Sequence, residues 1–422
     1  MTLIRTGLLN AVAVAVRLLS MLVLNKTLAL EVGPAGYGLI GQLQNAVTTI
    51  TAIASAGVNT GVTKYTAEYH EDAANQRQVW ATAGFLGLVC SLIVGFVIVV
   101  FRAELAIKLF KDAAYSDVFV WVAACLVLYV FNAFLLAIIN GLKEIELFVV
   151  ANIANSLIAL AVTGVLASMY GLHGALIALA INQSIACVAT VALARKRIWF
   201  RLNDFFGRPD WAVTRKLSQF TLMAIATSVL GPLTLIAVRN ILIAESGIEA
   251  SGYWEAMTRI SSLYLMFISM PLSVYYLPKL SELTNAIDLR RELTSGLKML
   301  IPVTASMALA IYLLREFIIE LLFSAEFAPM AALFAWQLTG DIVRVTAWLF
   351  SFFLISRAMT KQFLFAEIVA ALSFVTLALV LIRQFGTEGV AIAYALNNFF
   401  YLGVLLFLVR LILYDRKKDK FT

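Results

Sequence analysis

Apolar residues run along this chain in blocks of about twenty or more, separated by short polar or basic stretches. Soluble helices and strands alternate on a shorter period, so the pattern points to membrane-crossing helices. Crossing about 30 Å of hydrocarbon takes roughly 20 helical residues. The pattern predicts twelve spans, at 8–30, 38–63, 79–101, 118–140, 147–169, 172–194, 217–243, 252–277, 297–321, 331–356, 363–383 and 387–413. The first span is no cleavable signal peptide. It is too long, carries Arg17 and Lys26, and lacks a small-residue cleavage site.

The pattern also recurs at half the chain length. Residues 31–70 hold a Gly/Pro turn, an apolar run punctuated by amides and hydroxyls, and a basic aromatic end at Lys64-Tyr65. A weaker copy starts near Glu245. Gly36-Tyr37 falls on Gly252-Tyr253 and Lys64 on Lys279, at a shift near 215. Further on, Gly171, Gly174, Ala178, Ala180 and Asn182 fall on Gly386, Gly389, Ala393, Ala395 and Asn397. Six spans per half is an even number, so both halves enter the membrane in the same orientation. The expected fold is an all-α polytopic membrane protein, with twelve transmembrane helices in two parallel-repeat six-helix bundles around a central cavity. Such repeats place the substrate between bundles that rock. The expected domains are 1–205, the first bundle with the start of a cytoplasmic connector, and 206–422, the second bundle with a basic cytoplasmic tail.

Composition agrees: of 422 residues 62% are hydrophobic and 14% charged. Mean hydropathy is +0.91. Most of the 32 Lys and Arg lie on the side shared by the N-terminus, the even-numbered loops and the C-terminus. The other side carries Arg102, Lys108, Lys111, Arg315 and Arg383. Positive charge stays cytoplasmic, so both termini are expected to face the cytoplasm. The net charge of +7 therefore reports topology, and nucleic acid is not an expected partner. Cys90, Cys125 and Cys187 fall inside spans without the spacing of a disulfide or metal site. His70 and His173 stand alone in loops and read as solvated or interfacial. The connector 195–216, RKRIWFRLNDFFGRPDWAVTRK, reads as an amphipathic linker in the cytoplasmic headgroup layer. Short loops leave no room for a catalytic or nucleotide-binding domain, and no G-x-x-x-x-G-K-[ST] occurs. Neither an enzyme activity nor a cofactor is expected.

Function must then lie in polar groups within the spans, where a charge costs roughly 2.5–3.5 kcal/mol on insertion scales. Arg17 lies ten residues into the first span and shares a face with Asn10. It either meets a substrate or locks helices through a carbonyl or carboxylate. Lys26 and Arg239 occupy equivalent places in the two repeats, where each either snorkels outward or flanks a cavity. Arg259 sits deeper in its span. In the tenth span Asp341 and Arg344 are three apart and share a face. They form either a self-neutralising pair or a working set, with Asp341 binding a proton or cation and Arg344 an anion. Cations outnumber central carboxylates, which favours an anionic substrate. Gln42, Asn45, Thr49, Asn132, Asn152, Asn155, Asn182 and Asn397 add sugar-binding capacity or helix-to-helix hydrogen bonds. A phosphate-bearing, sugar-bearing lipid headgroup fits this balance.

The motifs GPAGYG at 33–38, GVTKY at 61–65, QLSQFTLMAI at 217–226 and FAWQLTGDIVRV at 334–345 resemble those of the Wzx-type lipid III flippases. These belong to the multidrug/oligosaccharidyl-lipid/polysaccharide exporter superfamily, and the likeness extends over essentially the whole chain. The resemblance implies a protein of the bacterial inner membrane. It would flip an undecaprenyl-diphosphate-linked oligosaccharide, lipid III of enterobacterial common antigen, from the cytoplasmic to the periplasmic leaflet. The partners implied are that lipid, the bilayer, and the glycan polymerase and chain-length proteins that use the product. It places Lys26, Lys64, Arg239, Asp341 and Arg344 among lumenal or gate charges, while Arg17 and Arg259 rest on depth alone. Alternatives are an O-antigen-unit flippase and a proton- or sodium-coupled drug antiporter of the same superfamily. A glycan polymerase or ligase would need a larger periplasmic loop.

Overall fold

In lipid every backbone N–H and C=O must be paired within the segment, which leaves uninterrupted apolar runs no choice but helix. The computed structural model describes residues 3–283, 286–357 and 359–418, with side chains described except at 3–13, 219–227, 270–271, 273–274, 277–278, 286–287 and 412–418. Among them are fourteen α-helices. The first seven are α1 (Leu3–Ala54), α2 (Asn59–Glu68), α3 (Ala73–Val100), α4 (Arg102–Phe110), α5 (Ser116–Gly141), α6 (Ile145–Ala194) and α7 (Trp211–Ser246). The rest are α8 (Ile248–Pro271), α9 (Leu277–Glu282), α10 (Ala286–Leu313), α11 (Arg315–Leu322), α12 (Phe334–Ser356), α13 (Thr360–Phe385) and α14 (Glu388–Lys418). Phe96 and Leu313 are 71% and 70% exposed, a surface suited to lipid and not to water.

The twelve expected spans map onto these helices. Two long helices hold two spans each, folded at a glycine: α1 breaks at Gly33 (φ 62) and α6 at Gly171 (φ 56). Their repeat partners are Gly247 (φ 89), between α7 and α8, and Gly386 (φ 59), between α13 and α14. A Cβ disfavours this left-handed region, so glycine marks the same joints in both halves. Beyond two of these joints the packing repeats as well. A Cβ at Gly174 would strike the Leu166 carbonyl, and one at Gly389 would strike that of Leu381. Two short helices, α4 and α11, follow the main helix of the third span in each half; α4 lies beyond its span, whereas α11 takes up the last residues of the expected span 297–321, which breaks after Leu313. In α4 the apolar Leu109 and Phe110 are buried while Arg102 and Lys108 are exposed.

The second span of each half is interrupted at matching places. Residues 55–58 form a turn between α1 and α2, with Ala56 (φ 50) and Gly57 (φ 61) left-handed. In the second half, α8 ends at Pro271 and gives way to a π-helical stretch, Leu272–Tyr276. At a shift of 215, Ala56-Gly57 aligns with Pro271-Leu272.

The chain divides into two compact units, one of Met1–Val32 with Leu39–Leu233, the other of Gly33–Gly38 with Thr234–Thr422. In the first unit the connector does more than lie on a surface. Phe205 is fully buried, with ring centroids 5.8 Å from Phe134 and 6.0 Å from Trp80. The Phe205 carbonyl occupies the space a Cβ at Gly84 would need. Polar ties fix the rest: Trp199 Nε1 donates to Glu144 at 2.7 Å, Arg77 pairs with Asp204 at 3.3 Å, and Gln78 donates to Asp210 at 2.7 Å. Other connector residues stay on the surface, such as Ile198 and Trp211, 97% and 82% exposed.

In the second unit the two copies of the opening motif pack on each other. A Cβ at Gly252 would collide with the Pro34 carbonyl, and one at Gly38 with Ser251. The equivalent tyrosines Tyr37 and Tyr253 both set their rings edge-on to Phe327, at 5.5 and 6.3 Å.

Candidate functional site

The second unit holds two polar clusters. In the first, α7 supplies Arg239 and α8 supplies Glu255 and, one turn on, Arg259. Arg239 Nη2 lies 2.5 Å from Glu255 Oε2, and Arg259 Nε lies 2.8 Å from Glu255 Oε1. Arg239 is 1% exposed, and its guanidinium sits 5.6 Å from the Trp254 ring centroid. The Arg259 side chain retains 16% exposure and stacks 4.7 Å over Tyr37 of the GPAGYG segment. Two arginines sharing one carboxylate leave one net positive charge. Burial of that charge is offset by the aromatic faces and the charge-assisted hydrogen bonds.

The second cluster centres on Asp341 of α12, which is fully buried. Its Oδ2 accepts from Ser261 Oγ at 2.7 Å and Tyr264 OH at 2.8 Å, both on α8. Its Oδ1 accepts from Tyr394 OH on α14 at 2.7 Å. Arg344 does not pair with Asp341. It is exposed, donates to the Tyr394 hydroxyl at 3.2 Å and lies 5.3 Å from the Trp348 ring centroid. Gly340 admits this arrangement, since a Cβ there would stand 2.6 Å from the Tyr394 ring. Nearby, Tyr401 OH donates to Glu367 at 2.5 Å.

Of the residues singled out in sequence, Arg239, Arg259, Asp341 and Arg344 thus fall in one unit. The other three belong to the first unit. Arg17 is exposed and Lys26 half-buried on the first half of α1. Lys64 is exposed on α2 with its Nζ 5.1 Å from the Tyr65 ring centroid. Beside it, Tyr69 stacks on Tyr65 at 6.0 Å and accepts from Lys216 Nζ at 2.9 Å. That hydrogen bond pushes the Lys216 pKa up, because the charged form donates it. The side chain of Asn10 lies outside the described residues. His173, expected to be solvated or interfacial, pairs with Asp117 at 2.8 Å and stacks on Tyr115 at 5.8 Å.

Sequence reading missed four participants: Glu255, Ser261, Tyr264 and Tyr394. Glu255 sits at helical spacing before Arg259, a signal that was present in the sequence. The three hydroxyls carry no such signal among the many in apolar helices.

A duplicated fold, helical throughout its regular elements among the described residues and with charges held inside its apolar helices, defines a polytopic membrane protein. The fold is that of multidrug resistance MATE family transporters of the MOP superfamily. An inward-facing structure aligns at TM-score 0.80 and 16% identity, covering 95% of this chain and 96% of that one. An outward-facing structure aligns at 0.66 and 16% identity, covering 96% of each. The chain belongs to the polysaccharide biosynthesis protein family, whose pattern matches residues 5–284. It is 33% identical over 396 residues to the lipid III flippase of Escherichia coli (strain K12), covering 93% of this chain and 95% of that protein.

Proposed function

We propose that this chain flips an undecaprenyl-diphosphate-linked oligosaccharide, lipid III of enterobacterial common antigen, from the cytoplasmic to the periplasmic leaflet by alternating access. The observation that carries the reading is its kinship, over nearly the full length of both chains, with a lipid III flippase. The polar clusters supply a physical means. A diphosphate needs cations that are reachable yet poorly hydrated. Arg259 and Arg344 meet that need, each with an aromatic face beside it and surface left open. Arg239 is sealed behind Glu255 and acts as a positioning charge. No bond is made or broken. The headgroup is held through its phosphates while the polyprenyl tail stays in lipid.

The halves 1–205 and 206–422 are the moving bodies in this proposal, with bends at Gly231-Pro232 inside α7 and at Pro271, where α8 ends. The protein sits in the bacterial inner membrane with both termini cytoplasmic, and Lys64, Lys216 and Arg17 face the entering headgroup. A glycan polymerase or chain-length protein consumes the product. Expression in an Escherichia coli strain lacking its lipid III flippase tests the reading. Restored surface common antigen supports it. A chain present in the membrane that restores none overturns it.

A further inference from the structure

The turn at residues 55–58 interrupts a stretch whose apolar length predicts one continuous span. Ala56 is held left-handed there, at φ 50, a conformation that costs an L-residue roughly 1–2 kcal/mol. Irregular backbone at membrane depth survives where it is buried in protein or lines a polar cavity. Such a cavity adjoins the turn, with a volume of about 240 Å³. Its polar walls include Thr48, Thr51, Ser55, Asn59, Thr60 and Tyr129. A second hollow of about 160 Å³ shares Thr48 and Tyr129 and adds Gln44, Asn182 and Gln183. Among the described residues no charged side chain lines either one.

The hydrogen bonds within these walls decide what they offer. Thr48, Thr51 and Ser55 give their hydroxyl protons to the carbonyls of Gln44, Val47 and Ala52 at 2.8, 2.8 and 3.1 Å. The Thr51 hydroxyl also bonds Tyr129, and the oxygens of Thr48 and Ser55 are left as acceptors. Asn59 Oδ1 is buried with no hydrogen-bond partner among the described residues, at a cost of roughly 1–3 kcal/mol. Gln183 accepts from Asn132 at 2.9 Å through Oε1, which leaves its NH₂ to donate. The hollows thus present acceptors, amide donors and a tyrosine, without charge. A phosphate finds no countercharge there, and an apolar molecule would leave Asn59 unsatisfied. Each hollow is smaller than a drug-sized site of about 300–1,000 Å³. A pyranose ring, with hydroxyls that donate and accept and an apolar face to lay on Tyr129, satisfies all of these terms.

We propose that this charge-free hollow of the first unit is a glycan subsite, taking an uncharged pyranose of the oligosaccharide. The inference rests on the flippase reading. The test measures binding of two lipids to the purified full chain in nanodiscs, lipid III and sugar-free undecaprenyl diphosphate, for wild type, Thr48→Val and Asn59→Leu. The wild type is expected to bind lipid III about tenfold or more tightly than the sugar-free lipid. Either variant is expected to cut that preference about tenfold while leaving the sugar-free affinity in place. Thr48 is exposed, so its variant keeps the test open if Asn59→Leu fails to fold. A wild type without preference, or variants that keep it or lose both affinities equally, overturns the subsite and leaves the flippase reading standing. A wild type that binds neither lipid overturns both.

Discussion

Arg344 reaches Asp341 only through the hydroxyl of Tyr394, which accepts from the guanidinium at 3.2 Å and donates to the carboxylate at 2.7 Å. The two residues lie one helical turn apart on α12, yet no ion pair forms between them among the described residues. The carboxylate instead draws three hydroxyl donors, from Ser261, Tyr264 and Tyr394. The positive charge of Arg344 is therefore not cancelled face to face.

Removing that hydroxyl tests the relay. Tyr394→Phe keeps the ring packed on Gly340 but deletes a donor to a buried carboxylate, at a cost of roughly 1.5–3 kcal/mol. The expected outcome is a lower melting temperature in detergent and slower flipping in proteoliposomes. Wild-type values for both would show the hydroxyl to be incidental.

Asp341→Asn is nearly isosteric and removes the charge. If Asp341 couples an ion, the variant binds lipid III normally but no longer responds to a proton or sodium gradient. Gradient-dependent flipping that survives the substitution removes Asp341 from any coupling role.

Glu255→Gln leaves Arg239 and Arg259 facing each other without their shared counterion. Breaking a buried pair in this way costs about 3–5 kcal/mol, so the yield of folded protein should fall sharply. Arg259→Gln is expected to be milder, since Arg259 keeps 16% exposure and its loss leaves the Arg239–Glu255 pair intact. Fluorescence-detected size exclusion ranks the two, and the reverse order would contradict the charge balance drawn here.

Gly252→Ala sets a methyl against the Pro34 carbonyl and should abolish folded protein. Gly231→Ala meets no atom of the described residues within 4 Å and should leave expression unchanged. Equal expression of the two variants would dissolve the argument that the repeated motif copies pack backbone to backbone.

Much of this was legible in the sequence because apolar length and glycine position have few structural solutions. The spans, the repeat, and the joints at Gly171 and Gly386 follow from them. Asp341 and the basic residues stood out because charge is rare in such helices. Tyr394, Ser261 and Tyr264 did not stand out, since a hydroxyl in an apolar helix usually bonds its own backbone. The turn at 55–58 was hidden because SAGV reads as helix on composition. Phe205 in the connector looked like a lipid-facing aromatic until Gly84 made room for its backbone. The grouping of residues 33–38 with the second unit is a tertiary fact that no local pattern carries.

The central claim is tested most directly by the leaflet accessibility of lipid III in proteoliposomes holding the wild-type chain or an Arg259→Gln, Arg344→Gln double variant. The expectation is that the wild type exposes inner-leaflet lipid III to an external glycan-modifying enzyme, and that the double variant, inserted equally well, does so at least tenfold more slowly. Equal rates in the two preparations, or none above protein-free vesicles, would contradict it.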